Sequence, residues 1–151
     1  LASPPRVLYV DTSALGRVLL NEPDRPAIQR ALEDFDEVIS SRLLWIELGR
    51  LARRKEAELA DQGKPSEFIS LSEELLHGVI AIPMEGGFED GGEGTLADAI
   101  VLPPFSVATL DAIHLATAVF MADHFPVDFM TYDKRLAAGA REHDLTVLSP
   151  S

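Results

Sequence analysis

The sequence predicts an α/β chain of three layers, an α/β/α sandwich with helices on both faces of a mainly parallel sheet of about five strands. Three observations predict it. Short runs of strand-forming residues alternate with segments of helical period along the whole chain, the signature of repeated βαβ units. The first run, Val7–Val10, is apolar at every position rather than alternating, as expected of a strand covered on both faces. Length fits one domain, 1–151, and a hydrophobic fraction of 46% supports a real core without a cysteine to staple it.

Each element has a local reason. After the strand Val7–Val10, Asp11-Thr12-Ser13 leads into a short helix over Ser13–Leu20, closed by Asn21-Glu22-Pro23. Pro26 suits the first position of a second helix, Pro26–Phe35, whose Ala27, Ile28, Ala31, Leu32 and Phe35 have helical spacing. Glu37–Ile39 reads as a short strand, and Ser40 or Ser41 as the cap of a long helix running to about Asp61. Gln62-Gly63-Lys64-Pro65 stops that helix, and Ser66 begins another that Gly78 ends. Val79–Ile82 is the third strand. Residues 84–94, dominated by glycine and acid, read as a flexible loop, and Thr95–Val101 as a short helix before Pro103-Pro104. The clearest helix is Ser106–Ala122, with Thr109 suited to cap it. Asp128–Tyr132 is a fourth strand leading to Asp133, Lys134–Glu142 a helix, and Leu145–Leu148 a fifth strand.

Composition narrows function. Thirteen Lys and Arg against twenty-five Asp and Glu give a formal charge of −12, which argues against non-specific binding to nucleic acid phosphates and suits a basic partner or a clustered metal site. Lack of cysteine excludes a thiolate metal site and fits a reducing, cytoplasmic setting. No apolar run is long enough for a membrane span. The opening L-A-S-P-P-R lacks the basic flank and apolar core of a signal peptide, and its Leu in place of Met points to a processed, truncated or unusually initiated product. The Gly-rich loop is a poor phosphate cradle, because Glu85, Glu89, Asp90 and Glu93 oppose an anion there. There is no Walker A motif, no G-x-G-x-x-G after the first strand, and no G-x-S-x-G around Ser13.

Four acids stand at informative places: Asp11 after the first strand, Glu47 inside the apolar run L-L-W-I-E-L, Asp111 in the first turn of the Ser106–Ala122 helix, and Asp133 after the fourth strand. Each has an ordinary structural reading. Asp11 and Asp133 suit helix caps, Asp111 complements a helix dipole, and Glu47 could pair with Arg50 or Arg54. As a set they read differently. Strand ends and the helix starts that follow them converge on one edge of a parallel sheet, where four carboxylates repel one another at neutral pH. A hard divalent cation, Mg²⁺ or Mn²⁺, removes that cost and suits an all-oxygen donor set. Such a centre supports phosphodiester hydrolysis.

At these residues the chain resembles a PIN-domain ribonuclease of the VapC type, the toxin of bacterial VapBC toxin–antitoxin pairs. The matching segments are V-D-T-S-A-L around Asp11, W-I-E-L around Glu47, T-L-D-A-I-H-L-A-T-A around Asp111 and M-T-Y-D-K-R-L around Asp133, in order from Val7 to Pro150. The resemblance implies a PIN-like sandwich in which Asp11, Glu47, Asp111 and Asp133 bind Mg²⁺ or Mn²⁺. Metal-activated water would cleave RNA to leave 3′-hydroxyl and 5′-phosphate ends. Thr12, Ser13 and Thr131 match the small polar positions that orient carboxylates or water. It also implies a homodimer, a VapB-type antitoxin, and promoter DNA bound only through that antitoxin. His114, one turn beyond Asp111, reads as a structural histidine rather than a ligand. Arg17, Arg50, Arg53, Arg54, Lys134 and Arg135 flank the acids and are candidates to meet RNA. For Arg53-Arg54-Lys55 a solvated helix face paired with Glu56 and Glu58 is the simpler account. Residues 84–101 depart from the family pattern, being richer in glycine and acid than the apolar helix expected there.

Other readings fit less well. A phosphoacceptor receiver-like domain needs an acid after the third strand, where this chain has V-I-A-I-P-M, and a D-x-D phosphatase needs one at Ser13. A non-catalytic PIN-like binding module is expected to have lost one or more of the four acids, and none is lost.

Overall fold

The computed structural model describes residues 3–86 and 94–151. Its elements in chain order are β1 (Val7–Val10), α1 (Thr12–Leu19), α2 (Arg25–Glu33), β2 (Glu37–Ser41), α3 (Leu43–Asp61), α4 (Phe68–His77), β3 (Ile80–Ile82), α5 (Thr95–Val101), α6 (Thr109–Ala122), β4 (Val127–Met130), α7 (Lys134–Glu142) and β5 (Thr146–Leu148). The strands form one five-stranded sheet in the order β3-β2-β1-β4-β5, with every neighbouring pair parallel. The sandwich architecture expected from the alternation of strands and helices is therefore present.

The continuous apolar run of β1 has the expected cause. Alternate residues of a strand face opposite sides. Leu8 and Val10 join Ala14, Leu15, Leu44 and Leu48 in a core under α1 to α4, whereas Val7 and Tyr9 join Leu115, Phe129 and Leu136 in a core under α6 and α7. All four β1 residues are buried. Each large side chain so covered contributes about 1.5–3 kcal/mol.

Several element ends differ from the sequence expectation. α6 begins at Thr109 rather than near Ser106, and Thr109 does not cap it: Ala108 holds the extended cap position without a side-chain bond. Pro104 and the Ser106 turn precede the helix because Val107 N donates to Pro104 O at 3.2 Å, a turn that delays helical geometry. α4 begins at Phe68, two residues after Ser66. β2 runs to Ser41, and Ser41 Oγ accepts from Leu43 N at 3.2 Å, so Ser41 rather than Ser40 supports the start of α3. Ser40 Oγ donates instead to Val10 O at 2.6 Å, binding β2 to β1. Gly63, at φ +68°, stops α3 in the left-handed conformation that favours glycine. The acid-rich loop expectation falls largely on 87–93, outside the described residues.

Gly139 allows α7 to approach α6. A Cβ there would lie 3.0 Å from Val107 Cγ2 and 3.3 Å from Leu115 Cδ2. Gly139→Val is therefore expected to destabilise by about 1–3 kcal/mol, lowering Tm by about 2–4 °C per kcal/mol in a chain of this size. Thermal denaturation followed by circular dichroism measures this, and an unchanged Tm would contradict the close packing.

Candidate metal centre

The switch point of the sheet lies between β1 and β4. From β1 the chain crosses to β2 on one side, and from β4 to β5 on the other. Open α/β sheets leave a crevice for ligands at that point, outside the carboxyl ends of the strands. Register places the first partners. Val10 pairs with Met130, so the next residues, Asp11 and Thr131, emerge side by side. Thr131 Oγ1 donates to Asp11 Oδ2 at 2.6 Å.

Asp11 is 2% exposed and accepts from three donors, fewer than a carboxylate can take. Ser13 Oγ lies 2.7 Å from Oδ1 and 2.9 Å from Oδ2, and Ala14 N donates to Oδ1 at 3.1 Å. Asp11 therefore caps α1 itself. Capping is not handed to Thr12 or Ser13, whose hydroxyls are committed to carboxylates. Burial pushes the Asp11 carboxyl above its ordinary range, with the bonds from Thr131 and Ser13 opposing that shift.

Asp133 is the cap of α7, accepting from Leu136 N at 2.8 Å through Oδ1, and its own N–H donates to Thr131 Oγ1 at 3.1 Å. Ser13 Oγ accepts from Tyr132 N at 2.8 Å. The loop after β4 is thus tied to the start of α1 by the two hydroxyls, Ser13 and Thr131, that bind Asp11.

Glu47 arrives from α3 on one face of the sheet, and His114 from α6 on the other. Glu47 Oε1 accepts from Thr12 Oγ1 and meets His114 Nε2, both at 2.7 Å. Its partner is thus this histidine, not Arg50 or Arg54. Burial alone would raise the Glu47 carboxyl; the bonds from His114 and Thr12 outweigh it and hold the group below its ordinary range. Sequence reasoning treated Tyr9 only as a strand residue. Its hydroxyl lies 2.6 Å from His114 Nδ1 and accepts from Ser41 N at 3.0 Å. A hydroxyl inside a wholly buried strand was the available signal, since such a group needs partners.

Asp111, half-buried in the first turn of α6, accepts no hydrogen bond from the described residues. Burial, then the charges of Asp133 and Asp11, and to a smaller extent that of Glu47, push it up to about 6, with His114 opposing. The other three acids are therefore within electrostatic reach of Asp111. They are not drawn in to ligand distance: among the described residues no group of three or more His, Asp or Glu stands close enough to hold an ion. The donor set nonetheless fits a hard cation. It is all oxygen, it carries excess like charge at Asp111, and Glu47 Oε2 and Asp133 Oδ2 accept nothing from the described residues.

The flanking cations differ in availability. Arg17 pairs with Asp24 at 3.0 Å and lies 4.3 Å over the Tyr132 ring, so it is already engaged. Arg50, Arg53, Arg54, Lys134 and Arg135 are exposed. Lys55 pairs with Glu58 at 3.1 Å and Arg53 donates to Gly49 O, consistent with a solvated helix face there.

Fold and site together define a class: a doubly wound α/β domain with acids at the carboxyl edge of its sheet. The PIN domain model matches residues 8–142, and the chain belongs to the PIN domain family, among its VapC-type ribonucleases. It is 30% identical over 148 residues to Ribonuclease VapC47 of Mycobacterium tuberculosis (strain CDC 1551 / Oshkosh), covering 95% of this chain and 97% of that protein. Ribonuclease VapC46 of Mycobacterium tuberculosis (strain ATCC 25618 / H37Rv) is 29% identical over 147 residues, covering 95% and 98%. Among solved structures, VapBC2 from Rickettsia felis, bound to a DNA fragment from its promoter, aligns with a TM-score of 0.62 at 10% identity, covering 96% of this chain and 99% of that one. PAE2754 from Pyrobaculum aerophilum aligns with a TM-score of 0.57 at 14% identity, covering 94% and 83%.

Proposed function

We propose that this chain, as a single PIN domain, is the toxin of a type II toxin–antitoxin pair, a Mg²⁺- or Mn²⁺-dependent endoribonuclease acting in the cytoplasm. The observation that supports the reading is the Asp111 carboxyl at the edge of a PIN fold, half-buried and pushed up by burial and by the charges of Asp133, Asp11 and Glu47. The names of the VapC relatives support RNA as substrate.

In this reading the four carboxylates hold the cation, with Asp11 central. A cation held there would supply an activated water and neutralise charge developing on the phosphodiester. Ser13 and Thr131 hold the Asp11 carboxylate in one orientation, and Thr12 does the same for Glu47. Binding the ion requires Asp111 to be deprotonated, so protons compete with metal below about pH 6. Lys134 and Arg135, exposed beside Asp133, are suited to the RNA backbone.

The partner in this reading is a basic VapB-type antitoxin, which the charge of −12 suits, and promoter DNA is reached only through it. The toxin acts as a homodimer. Apolar surface between α5 and α6 supports a protein partner: Val101 is 67% exposed and Phe105 77% exposed, beside a cleft of about 400 Å³ lined by Leu96, Ile100 and Ile113.

Purified chain freed of antitoxin should cleave RNA with Mg²⁺ or Mn²⁺ and stop with chelator, read as 5′-phosphate fragments on a gel. Cleavage that persists in excess chelator would remove the metal reading. Induction of the chain alone should arrest growth, and co-expression of the adjacent small reading frame should relieve it.

A further inference from the structure

We propose that Tyr9 and His114 are positioning residues: Tyr9 fixes the His114 ring, and His114 fixes Glu47 so that Oε2 is the oxygen left to serve the metal. This rests on the metal reading above. Glu47 Oε1 takes both of the carboxylate's hydrogen bonds, from Thr12 Oγ1 and His114 Nε2 at 2.7 Å each, and Oε2 takes none from the described residues. Two donors on one oxygen set the rotation of the group and leave the other oxygen open.

The histidine cannot itself be a ligand in this arrangement, because both ring nitrogens are in use. It is 1% exposed, and Tyr9 is 0% exposed. The carboxylate can only accept, so Nε2 carries the N–H that Glu47 receives. Tyr9 Oη holds the other side of the ring, 2.6 Å from Nδ1, and accepts from Ser41 N. The tyrosine is held in turn. Its ring stacks on Phe129 at 5.1 Å between centroids and 3° between planes.

The chain of contacts thus runs from the backbone at the end of β2, through β1 and α6, to the carboxylate on α3. It joins the two helical layers over the edge of the sheet. A histidine that only filled space would be replaced without cost by an apolar side chain, since a buried polar group is costly unless partnered. Here every polar atom is matched, and the last partner is one of the four acids. Outer partners of this kind orient a ligand and raise its basicity, and their loss costs about 10- to 100-fold in metal affinity.

The test is a Mn²⁺ titration of the antitoxin-free chain, read by electron paramagnetic resonance or calorimetry, with thermal unfolding of each variant alongside. His114→Leu should weaken Mn²⁺ binding by about 10- to 100-fold, whereas His114→Gln, which retains an N–H able to reach Glu47, should stay within about three-fold of the unmodified chain. Tyr9→Phe keeps the ring stack and removes only the hydroxyl; it should weaken binding by about ten-fold. Unchanged affinity in His114→Leu, or a loss in His114→Gln as large as in His114→Leu, would overturn the proposal. If His114→Leu fails to fold, Tyr9→Phe decides, and unchanged affinity there overturns it. An unmodified chain that binds no Mn²⁺ removes the metal reading and this proposal together. Binding that ignores Tyr9 and His114 removes this proposal alone.

Discussion

Asp11→Asn should reduce RNA cleavage by about 10³-fold or more while leaving the fold intact. The magnitude follows from the role proposed for the cation, several kcal/mol of charge stabilisation, with each ~1.4 kcal/mol equal to a factor of ten in rate. The intact fold follows from the local bonding. Asparagine is as good a helix cap as aspartate, so Ala14 N keeps its acceptor. The new amide N–H faces hydroxyls that can reverse. Thr131 Oγ1 can accept from it and turn its own proton toward Ser13 Oγ, 3.2 Å away. Removing a buried charge also relieves the burial that pushes the Asp11 carboxyl up. Tm in chelator should therefore be equal to that of the unmodified chain or higher. A variant that cleaves at full rate would sink the assignment of Asp11 to the metal, and one that unfolds would show that the fold itself needs the carboxylate.

That variant separates two duties which the sequence presented as alternatives. From the sequence alone, capping and metal binding are alternative explanations of Asp11. In three dimensions the same carboxylate caps α1 and acts on Asp111 through its charge, because the N-terminus of the helix and the carboxyl end of β1 occupy one place. The same is true of Asp133 and α7. The parallel class of the sheet was legible because β1 is apolar on both faces and because Asp11 and Asp133 each stand at a strand-to-helix joint. Helix starts were less legible. Thr109 has capping chemistry, but the Pro104–Val107 turn fixes where α6 begins. The Tyr9–His114–Glu47 chain was not legible beyond the need of a buried Tyr9 hydroxyl for some partner. Its members are 38 and 67 or more positions apart in sequence, so only packing of α3 and α6 over the sheet edge brings them together.

Asp111→Asn should also abolish cleavage, by about 10³-fold on the same reasoning, and should make the metal-free chain more stable. This carboxyl accepts no hydrogen bond from the described residues, and burial with the charges of Asp133, Asp11 and Glu47 raises it to about 6. A helix N-terminus favours an acid there by about 0.3–1 kcal/mol, but the raised value means that the repulsion and burial win. The folded state therefore holds the Asp111 proton more tightly than the unfolded state, whose carboxyl stays near 3.8. By linkage the native protein loses stability relative to the variant as pH rises from about 4 through about 6. Above that window the variant should lead by on the order of 1 kcal/mol, after allowance for solvent screening of a half-exposed group. That corresponds to a Tm higher by about 2–4 °C at pH 7.5 in chelator. At pH 4 and below, both side chains are neutral and the difference should vanish. Mn²⁺ should reverse the order at pH 7.5, because an ion bound to the folded native chain stabilises it and the variant lacks one of the ligands. Thermal melts at pH 4, 6 and 7.5, with and without Mn²⁺, give all of these readings. A variant less stable than the native chain at pH 7.5 in chelator would mean that Asp111 is held by favourable contacts rather than opposed by its neighbours, and the case for a cation at this edge would lose its electrostatic basis.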